Sequence, residues 1–147
     1  MRTFAKTLFV SALLMTGAAF AAGTAATDPD VIARKDLMKT IGGATKTLGG
    51  MASGEVAHDA AAAEAAKQAM IAAAAEIEAK FTNNAADPAS EAKPEVWTNW
   101  DDFLTKGKAL GDAAGALDVA SAESIGAGMG AIGGTCKACH SDYRVQK

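Results

Sequence analysis

Apolar residues recur at helical spacing in four segments of the chain, and no segment shows the alternation that a strand requires. The first predicted helix opens at Asp28-Pro29, where an N-cap residue is followed by proline, and runs toward Gly49-Gly50. The second runs from His58-Asp59 to Phe81 through a run of alanines. Turn-forming residues cluster in residues 82–94, which predicts one long loop among otherwise short connections.

The third predicted helix starts near Pro94 and the fourth near Ser121, a good N-cap residue. Along the fourth, residues follow one another at steps of 4, 3, 4, 3 and 4: Ile125, Met129, Ile132, Cys136, Cys139 and Tyr143. This repeat predicts one buried face, at the seam of an antiparallel helical bundle. The glycines of residues 126–134 each cost about 1 kcal/mol relative to alanine in a helix. Either close packing offsets this cost, or these residues form a loop.

Composition favours an all-α fold with a thin core, that is, a core with few large side chains to fill it. Of the 147 residues, 50% are hydrophobic and 37 are alanine, the residue with the highest helix propensity. The length suits a single domain. Beyond residue 21 the aromatic residues are few: Phe81, Trp97, Trp100, Phe103 and Tyr143. Because aromatic side chains usually supply much of the buried area, the bundle either packs its helices very closely or leaves room for another group.

Residues 1–21 have the pattern of a secretory signal peptide. Arg2 and Lys6 form a basic start, an apolar run follows, and Ala19-Phe20-Ala21 places small residues at the −3 and −1 positions of a cleavage site. We therefore predict a mature domain of residues 22–147, exported to the periplasm, with an uncleaved N-terminal anchor as the alternative. Cleavage removes two cations from a chain whose formal charge is −3. The resulting acidity argues against nucleic acid or an anionic membrane as a partner.

The sequence Cys136-Lys137-Ala138-Cys139-His140 is a C-x-x-C-H motif, the attachment signature of c-type haem. On a helix the two cysteines lie one turn apart, so their sulfurs can reach the two vinyl groups along one edge of a porphyrin. His140 follows Cys136 by a full turn and can supply its imidazole as the proximal iron ligand. The motif predicts one covalently attached haem c in each chain.

Three other uses of the two cysteines are also compatible with the sequence. A thioredoxin-type C-x-x-C begins a helix in a βαβ unit, whereas this motif closes a helix in a chain without strand patterns. A zinc site could combine both cysteines with His140 and His58, at a spacing unlike that of zinc fingers or ribbons. A plain disulfide would explain neither His140 nor the thin core. Haem attachment accounts for all these features together.

Three segments of the chain resemble the class II cytochromes c, the group of cytochrome c prime and its low-spin relatives. Residues 133–144 (GGTCKACHSDYR) look like the haem-binding last helix of that family. Residues 32–39 (IARKDLMK) resemble its first helix, and residues 96–103 (VWTNWDDF) resemble its third. The likeness extends over essentially the whole mature chain and implies an antiparallel four-helix bundle that holds one haem.

The resemblance also implies roles for single residues. Met38 matches the first-helix position on the distal side of the haem, where it either binds the iron, as in the low-spin relatives, or only fills the pocket. Arg34 matches a cation near a haem propionate, and a solvated surface charge is the alternative. Arg144 matches the arginine that closes the family motif and is expected to bond a propionate or the last helix carbonyls; the alternative is that it is one of several cations at a frayed C-terminus. The family further implies a homodimer through the first two helices.

Two functions follow from these assignments. With His140 and Met38 as axial ligands, the protein is an electron carrier for periplasmic redox partners, because His/Met ligation raises the reduction potential. With Met38 only lining the pocket, a five-coordinate iron would bind nitric oxide or carbon monoxide. A haem enzyme such as a peroxidase needs a distal acid–base pair, and the first helix offers none near Met38. We therefore do not expect an enzyme.

Overall fold

The four predicted helices are present, and two of them are each divided by a short break. The computed structural model describes residues 25–146, so the predicted signal peptide, residues 1–21, lies outside the described residues. The helices are α1 (Pro29–Ala52), α2 (Ala60–Ala75), α3 (Ile77–Phe81), α4 (Glu95–Thr98), α5 (Trp100–Ala116) and α6 (Ala122–Tyr143). None of the helices in this range has both the length and the apolar character needed to cross a lipid bilayer.

The two strongest N-cap predictions are confirmed. The Asp28 carboxylate accepts hydrogen bonds from the backbone N–H groups of Asp30 (2.9 Å) and Val31 (3.2 Å) at the start of α1. At the start of α6, Ser121 and Ser124 form a capping box in which each side chain accepts a hydrogen bond from the backbone N–H of the other. Both caps satisfy donors that the first turn of a helix leaves without an intrahelical partner.

The breaks fall at Glu76, between α2 and α3, and at Asn99, between α4 and α5. At Glu76 the backbone N–H bonds the Ala73 carbonyl (3.2 Å), which is the tighter turn of a 3₁₀ helix. Beyond it, Ile77 and Phe81 are both buried in the core. Asn99 leaves the helical region (φ −121°, ψ 46°), which suits asparagine because its amide competes with helical hydrogen bonds.

The long helices form a four-sided bundle in which neighbours run antiparallel. α1 packs against α2 and α6, and α5 packs against the same two helices. In three neighbouring pairs, residues near the start of one partner meet residues near the end of the other: Arg34 with Lys80, Asp102 with Tyr143, and Ala52 with Gly126. In the fourth pair Ala74 lies by Gly111 and Ile77 by Gly107, so these two helices also run in opposite directions. The expected all-α antiparallel four-helix bundle is confirmed.

Glycine lets the helices approach closely at two places. A Cβ atom added to Gly107 would lie 3.2 Å from Cγ2 of Ile77, and one added to Gly128 would overlap Cδ1 of Leu117. Because real side chains rarely come so close, glycine at these positions allows contacts that help to offset its low helix propensity. The alternative of a loop at residues 126–134 is wrong, since α6 is continuous there.

The few aromatic side chains gather at one end of the bundle, around Phe103. The ring centroid of Phe103 lies 5.1 Å from that of Phe81, 5.6 Å from that of Trp100 and 5.3 Å from that of Tyr143. Such tilted, stacked and edge-on pairs add to the stabilisation from burial. Tyr143 is the last residue of α6, so the cluster lies at the end of the bundle that carries the C-x-x-C-H motif.

Asp87 ties the segment before α1 to the long loop. Its Oδ2 atom accepts hydrogen bonds from the N–H groups of Thr27 (2.8 Å) and Asp28 (2.9 Å), and its Oδ1 atom accepts one from the N–H of Ala89 (2.7 Å). These backbone hydrogen bonds lower the pKa of the carboxyl group to about 2. The ionised side chain is therefore a pH-sensitive link between chain segments 60 residues apart.

We expect Asp87→Ala to lower the free energy of unfolding at pH 7 and to have a much smaller effect near pH 2. A carboxyl group whose pKa is lower in the folded than in the unfolded chain stabilises the fold above pH ~4, and this contribution is lost as the pH falls toward the folded value. Urea unfolding of both proteins at the two pH values measures the effect. The exposed Glu55→Ala variant is the control, and equal losses for Asp87→Ala at both pH values would contradict the prediction.

Candidate haem site

The two cysteines lie in the last turns of α6, where both thiols are unpaired and half-buried against the hydrophobic core. Burial raises the pKa of the Cys136 thiol and of the Cys139 thiol. A thioredoxin-type C-x-x-C instead lies at a helix N-terminus, where the thiol pKa is lowered. The thioredoxin interpretation therefore does not fit this site. The unbridged thiols, one helical turn apart, are the arrangement that haem attachment requires.

The zinc interpretation fails on distance. The Nε2 atom of His58 lies 2.9 Å from the carbonyl oxygen of Val119, in the connection between α5 and α6, and the side chain is half-buried. Because a helix rises 1.5 Å per residue, the start of α6 lies about 20 Å from Cys136. Nowhere in residues 25–146 do three His, Cys, Asp or Glu side chains converge into a metal site.

His140 is half-buried one turn beyond Cys136. Burial lowers the pKa of its imidazole, and the positive charge of Arg144 lowers it further, while the negative charge of Glu91 acts in the opposite direction. A lowered pKa favours the neutral ring, which is the form that binds a metal ion. The backbone carbonyl of His140 accepts hydrogen bonds from the Arg144 N–H (3.2 Å) and from Nε2 of Gln146 (3.0 Å).

A short segment of the long loop fixes the end of α6. We call residues 91–93 together with residues 143–145 the C-terminal strap. Its backbone hydrogen bonds run from the Lys93 N–H to the Tyr143 carbonyl (2.9 Å) and from the Val145 N–H to the Glu91 carbonyl (2.8 Å). The Lys93 ammonium also bonds the carbonyls of Ser141 (3.2 Å) and Asp142 (3.0 Å). The strap thus satisfies carbonyls that the helix end leaves free.

Tyr143 anchors the same helix end to α5. Its hydroxyl donates to Oδ2 of Asp102, and burial together with this carboxylate raises the pKa of the phenol to about 12. The Lys106 ammonium lies 3.0 Å from Asp102, pairs with Asp142, and stands over the Tyr143 ring at 5.1 Å from its centroid. This network could not be predicted from the sequence as a whole, although the Asp102–Lys106 pair has the i, i+4 spacing of a helical ion pair.

Arg34 is buried, so its interpretation as a solvated charge is wrong; the side chain is 4% exposed. Its guanidinium lies between the rings of Phe81 and Trp97, at 5.3 Å and 5.1 Å from their centroids. Nε donates a hydrogen bond to the Lys80 carbonyl (3.1 Å), and Nη2 donates one to the Asn83 carbonyl. These two hydrogen bonds hold the guanidinium against the end of α3.

The third nitrogen of this guanidinium, Nη1, is buried without a hydrogen-bond partner. A buried donor left unpaired is costly, and an anionic oxygen would satisfy it. The donor therefore fits the carboxylate of a haem propionate, the group that the resemblance assigns to Arg34. Trp97 supports the same region, because its Nε1 donates to the Phe81 carbonyl (2.7 Å).

The remaining predicted site residues lie on α1 and in the C-terminal strap. Met38 is half-buried against the core cluster, on the helix that packs against α6. The Arg144 side chain is 49% exposed and pairs with Glu91, at 2.6 Å from Nη2 to Oε2 and 2.8 Å from Nε to the same oxygen. Its propionate contact stays a prediction. Glu91 was missed because its partner is 53 residues away in the sequence.

Comparison with known proteins gives consistent results. The profile of the family described as Cytochrome C' matches residues 30–144. Cytochrome c-556 of Agrobacterium tumefaciens (strain apple 185) is 39% identical over 118 residues, which cover 78% of this chain and 94% of that protein. The structure of cytochrome c' from Rhodopseudomonas palustris superposes with a TM-score of 0.73 at 28% identity, covering 82% of this chain and 99% of that one.

A further similar structure is a nitric oxide complex of a mutant of cytochrome c prime from Alcaligenes xylosoxidans. It has a TM-score of 0.70 at 25% identity and covers 80% of this chain and 94% of that one. The matches span the bundle, and the two cysteines fit the attachment motif for haem c. The chain therefore belongs to the cytochrome c' family, the class II cytochromes c, whose members carry a covalently attached haem c.

Proposed function

We propose that this chain is an electron carrier of the periplasm, with His140 and Met38 as the axial ligands of its haem iron. The observation that carries the proposal is the side chain of Met38, half-buried against the same core cluster that contacts both cysteines. A thioether is a soft ligand suited to haem iron, and His/Met ligation raises the reduction potential and favours electron transfer.

In this proposal each side chain of the site has one task. Cys136 and Cys139 hold the haem through thioether bonds, and His140 contributes a neutral imidazole nitrogen. Arg34, already oriented by two carbonyls and two aromatic rings, offers its unpaired Nη1 to a propionate oxygen. Bound haem c supplies a one-electron couple between ferric and ferrous iron.

The surroundings of Met38 support transport of electrons rather than catalysis. On the face of α1 that is buried in the described structure, its neighbours Leu37 and Ile41 are apolar. The titratable side chain on that face is Arg34, whose guanidinium is engaged with the end of α3. A peroxidase-type reaction needs a distal acid–base pair, which this face does not supply.

Gas binding is the second candidate function. The observation that favours it is the similar structure solved as a nitric oxide complex of a mutant cytochrome c prime. In that case Met38 lines an apolar distal pocket without binding the iron, and the iron stays five-coordinate. Both candidates use the same attachment residues, so the role of Met38 distinguishes them.

Absorption and EPR spectra of the holoprotein test the proposal. We expect a low-spin spectrum in the parent protein and a high-spin spectrum in Met38→Ala, because alanine removes the sixth ligand. Carbon monoxide should then bind the ferrous variant at least tenfold faster than the parent, since no protein ligand has to leave the iron.

Met129→Leu is the matched control, because Met129 is also partly buried against the core but lies on α6, the helix that carries the motif. Its spectrum should equal that of the parent. A parent protein that is already high-spin and binds carbon monoxide rapidly would reject ligation by Met38 and favour gas binding.

The proposed location follows from the signal-peptide pattern of residues 1–21, and the acidic net charge of the chain argues against nucleic acid and anionic membranes as partners. Removal of residues 1–21 would release residues 22–147 into the periplasm, where the haem edge would exchange electrons with periplasmic redox partners. The resemblance supports a homodimer through α1 and α2. Sedimentation at micromolar concentration tests it, and a monomer there would remove this part of the proposal.

A further inference from the structure

The C-terminal strap brings two opposite charges next to the proposed proximal ligand. Arg144 follows His140 by four residues, and its N–H caps the His140 carbonyl (3.2 Å). Glu91 enters from the long loop, where its backbone carbonyl accepts a hydrogen bond from the Val145 N–H (2.8 Å). An isolated antiparallel bridge joins Ala92 to Arg144. Backbone hydrogen bonds therefore fix where both side chains start.

The two side chains then form a close, two-point ion pair. Nη2 and Nε of Arg144 both bond Oε2 of Glu91, at 2.6 Å and 2.8 Å. The Glu91 side chain is 26% exposed, whereas that of Arg144 is 49% exposed. Without the carboxylate, a long and half-exposed arginine side chain would sample many rotamers in water. The less exposed Glu91 is thus the member that restrains the other.

We propose that Glu91 is a positioning residue, which holds the Arg144 guanidinium beside His140 and thereby helps to set the reduction potential of the haem. The inference rests on the proposed ligation by His140. The backbone hydrogen bond from Arg144 to the His140 carbonyl keeps this ion pair at the end of the helix that carries His140. A fixed positive charge near the iron disfavours the ferric state, and a fixed negative charge favours it. The net effect therefore depends on where Glu91 keeps the guanidinium.

A double-mutant cycle on the reduction potential tests this inference. We compare the parent holoprotein, Glu91→Gln, Arg144→Gln and the double variant at low ionic strength. We expect Arg144→Gln to favour the ferric state of the parent at least threefold. In the Glu91→Gln background, the same substitution should have less than half of that effect, because the guanidinium has already left its position. Additive charge effects would give equal changes in both backgrounds.

Two controls keep the result specific. Glu123→Gln removes the same charge from the first turn of α6, about 25 Å from His140, and should leave the potential unchanged. Glutamine at position 91 retains the backbone hydrogen bonds of the strap, so circular dichroism should show intact helices. Glu91→Asp, which keeps the charge, should recover part of the coupling.

The outcomes are distinct. Equal effects of Arg144→Gln in both backgrounds, or no effect in the parent, would overturn the positioning role of Glu91 even if His140 binds the iron. Paramagnetically shifted imidazole signals in the NMR spectrum of the parent test the ligation itself. If these signals are missing, the ligation is wrong, and this inference falls with it.

Discussion

The double variant Cys136→Ala/Cys139→Ala will carry no covalently attached haem. Thioether bonds need a thiol on the protein side, and the structure provides two, unpaired and one turn apart in α6. Mass spectrometry under denaturing conditions measures the result. The parent should have the mass of residues 22–147 plus one haem, and the variant the mass of the peptide alone. The same measurement tests the proposed removal of residues 1–21.

Lys137→Ala is the matched control, because Lys137 lies between the two cysteines and is exposed. This variant should retain the full mass of haem. Covalent haem on the double variant would show that another residue forms the bond and would refute the assignment of the motif. The attached haem is buried only when the chain is folded, and this burial stabilises the folded state, so the double variant should melt at a lower temperature than the parent.

The helices could be predicted from the sequence where local signals define them. Asp28 and Ser121 provide side-chain caps, and α1 and α6 begin where these residues predict. The break at Glu76 could not be predicted, because an alanine-rich run carries no signal for it. Ile77 and Phe81, which follow the break, are both buried in the core, and such packing depends on distant residues.

In the candidate site too, features that depend on neighbouring residues could be predicted, and contacts between distant residues could not. The C-x-x-C-H motif is local, so its place on one face of the last helix followed from spacing alone. The burial of Arg34 did not follow, because arginine is usually exposed and its two carbonyl partners are 46 and 49 residues away. The ion pair of Glu91 with Arg144 could not be predicted either, because the two residues are 53 positions apart in the sequence.

Arg34→Met will lower the free energy of unfolding by about 2 kcal/mol, the expected cost of leaving the Lys80 and Asn83 carbonyls at the end of α3 without their donors. The guanidinium also contacts the faces of Phe81 and Trp97, and such cation–π contacts add stabilisation when they are shielded from water. Methionine preserves much of the apolar stem, so the loss reports on the polar group. Removal of a buried charge returns part of this energy, which is why we expect less than the sum of the separate contacts.

Urea unfolding of the holoprotein at pH 7 measures this loss, with Lys39→Met as the control. Lys39 lies on the same helix, and its ion pair with Asp36 is exposed at the surface. Exposed pairs of this kind contribute little, so the control should change the free energy by less than about 0.5 kcal/mol. Arg34→Lys should recover only part of the loss, because one ammonium cannot reproduce the planar fork that bonds two carbonyls while stacking between two rings. A loss below about 0.5 kcal/mol in Arg34→Met would mean that water satisfies the carbonyls at the end of α3, and it would contradict a stabilising role of Arg34.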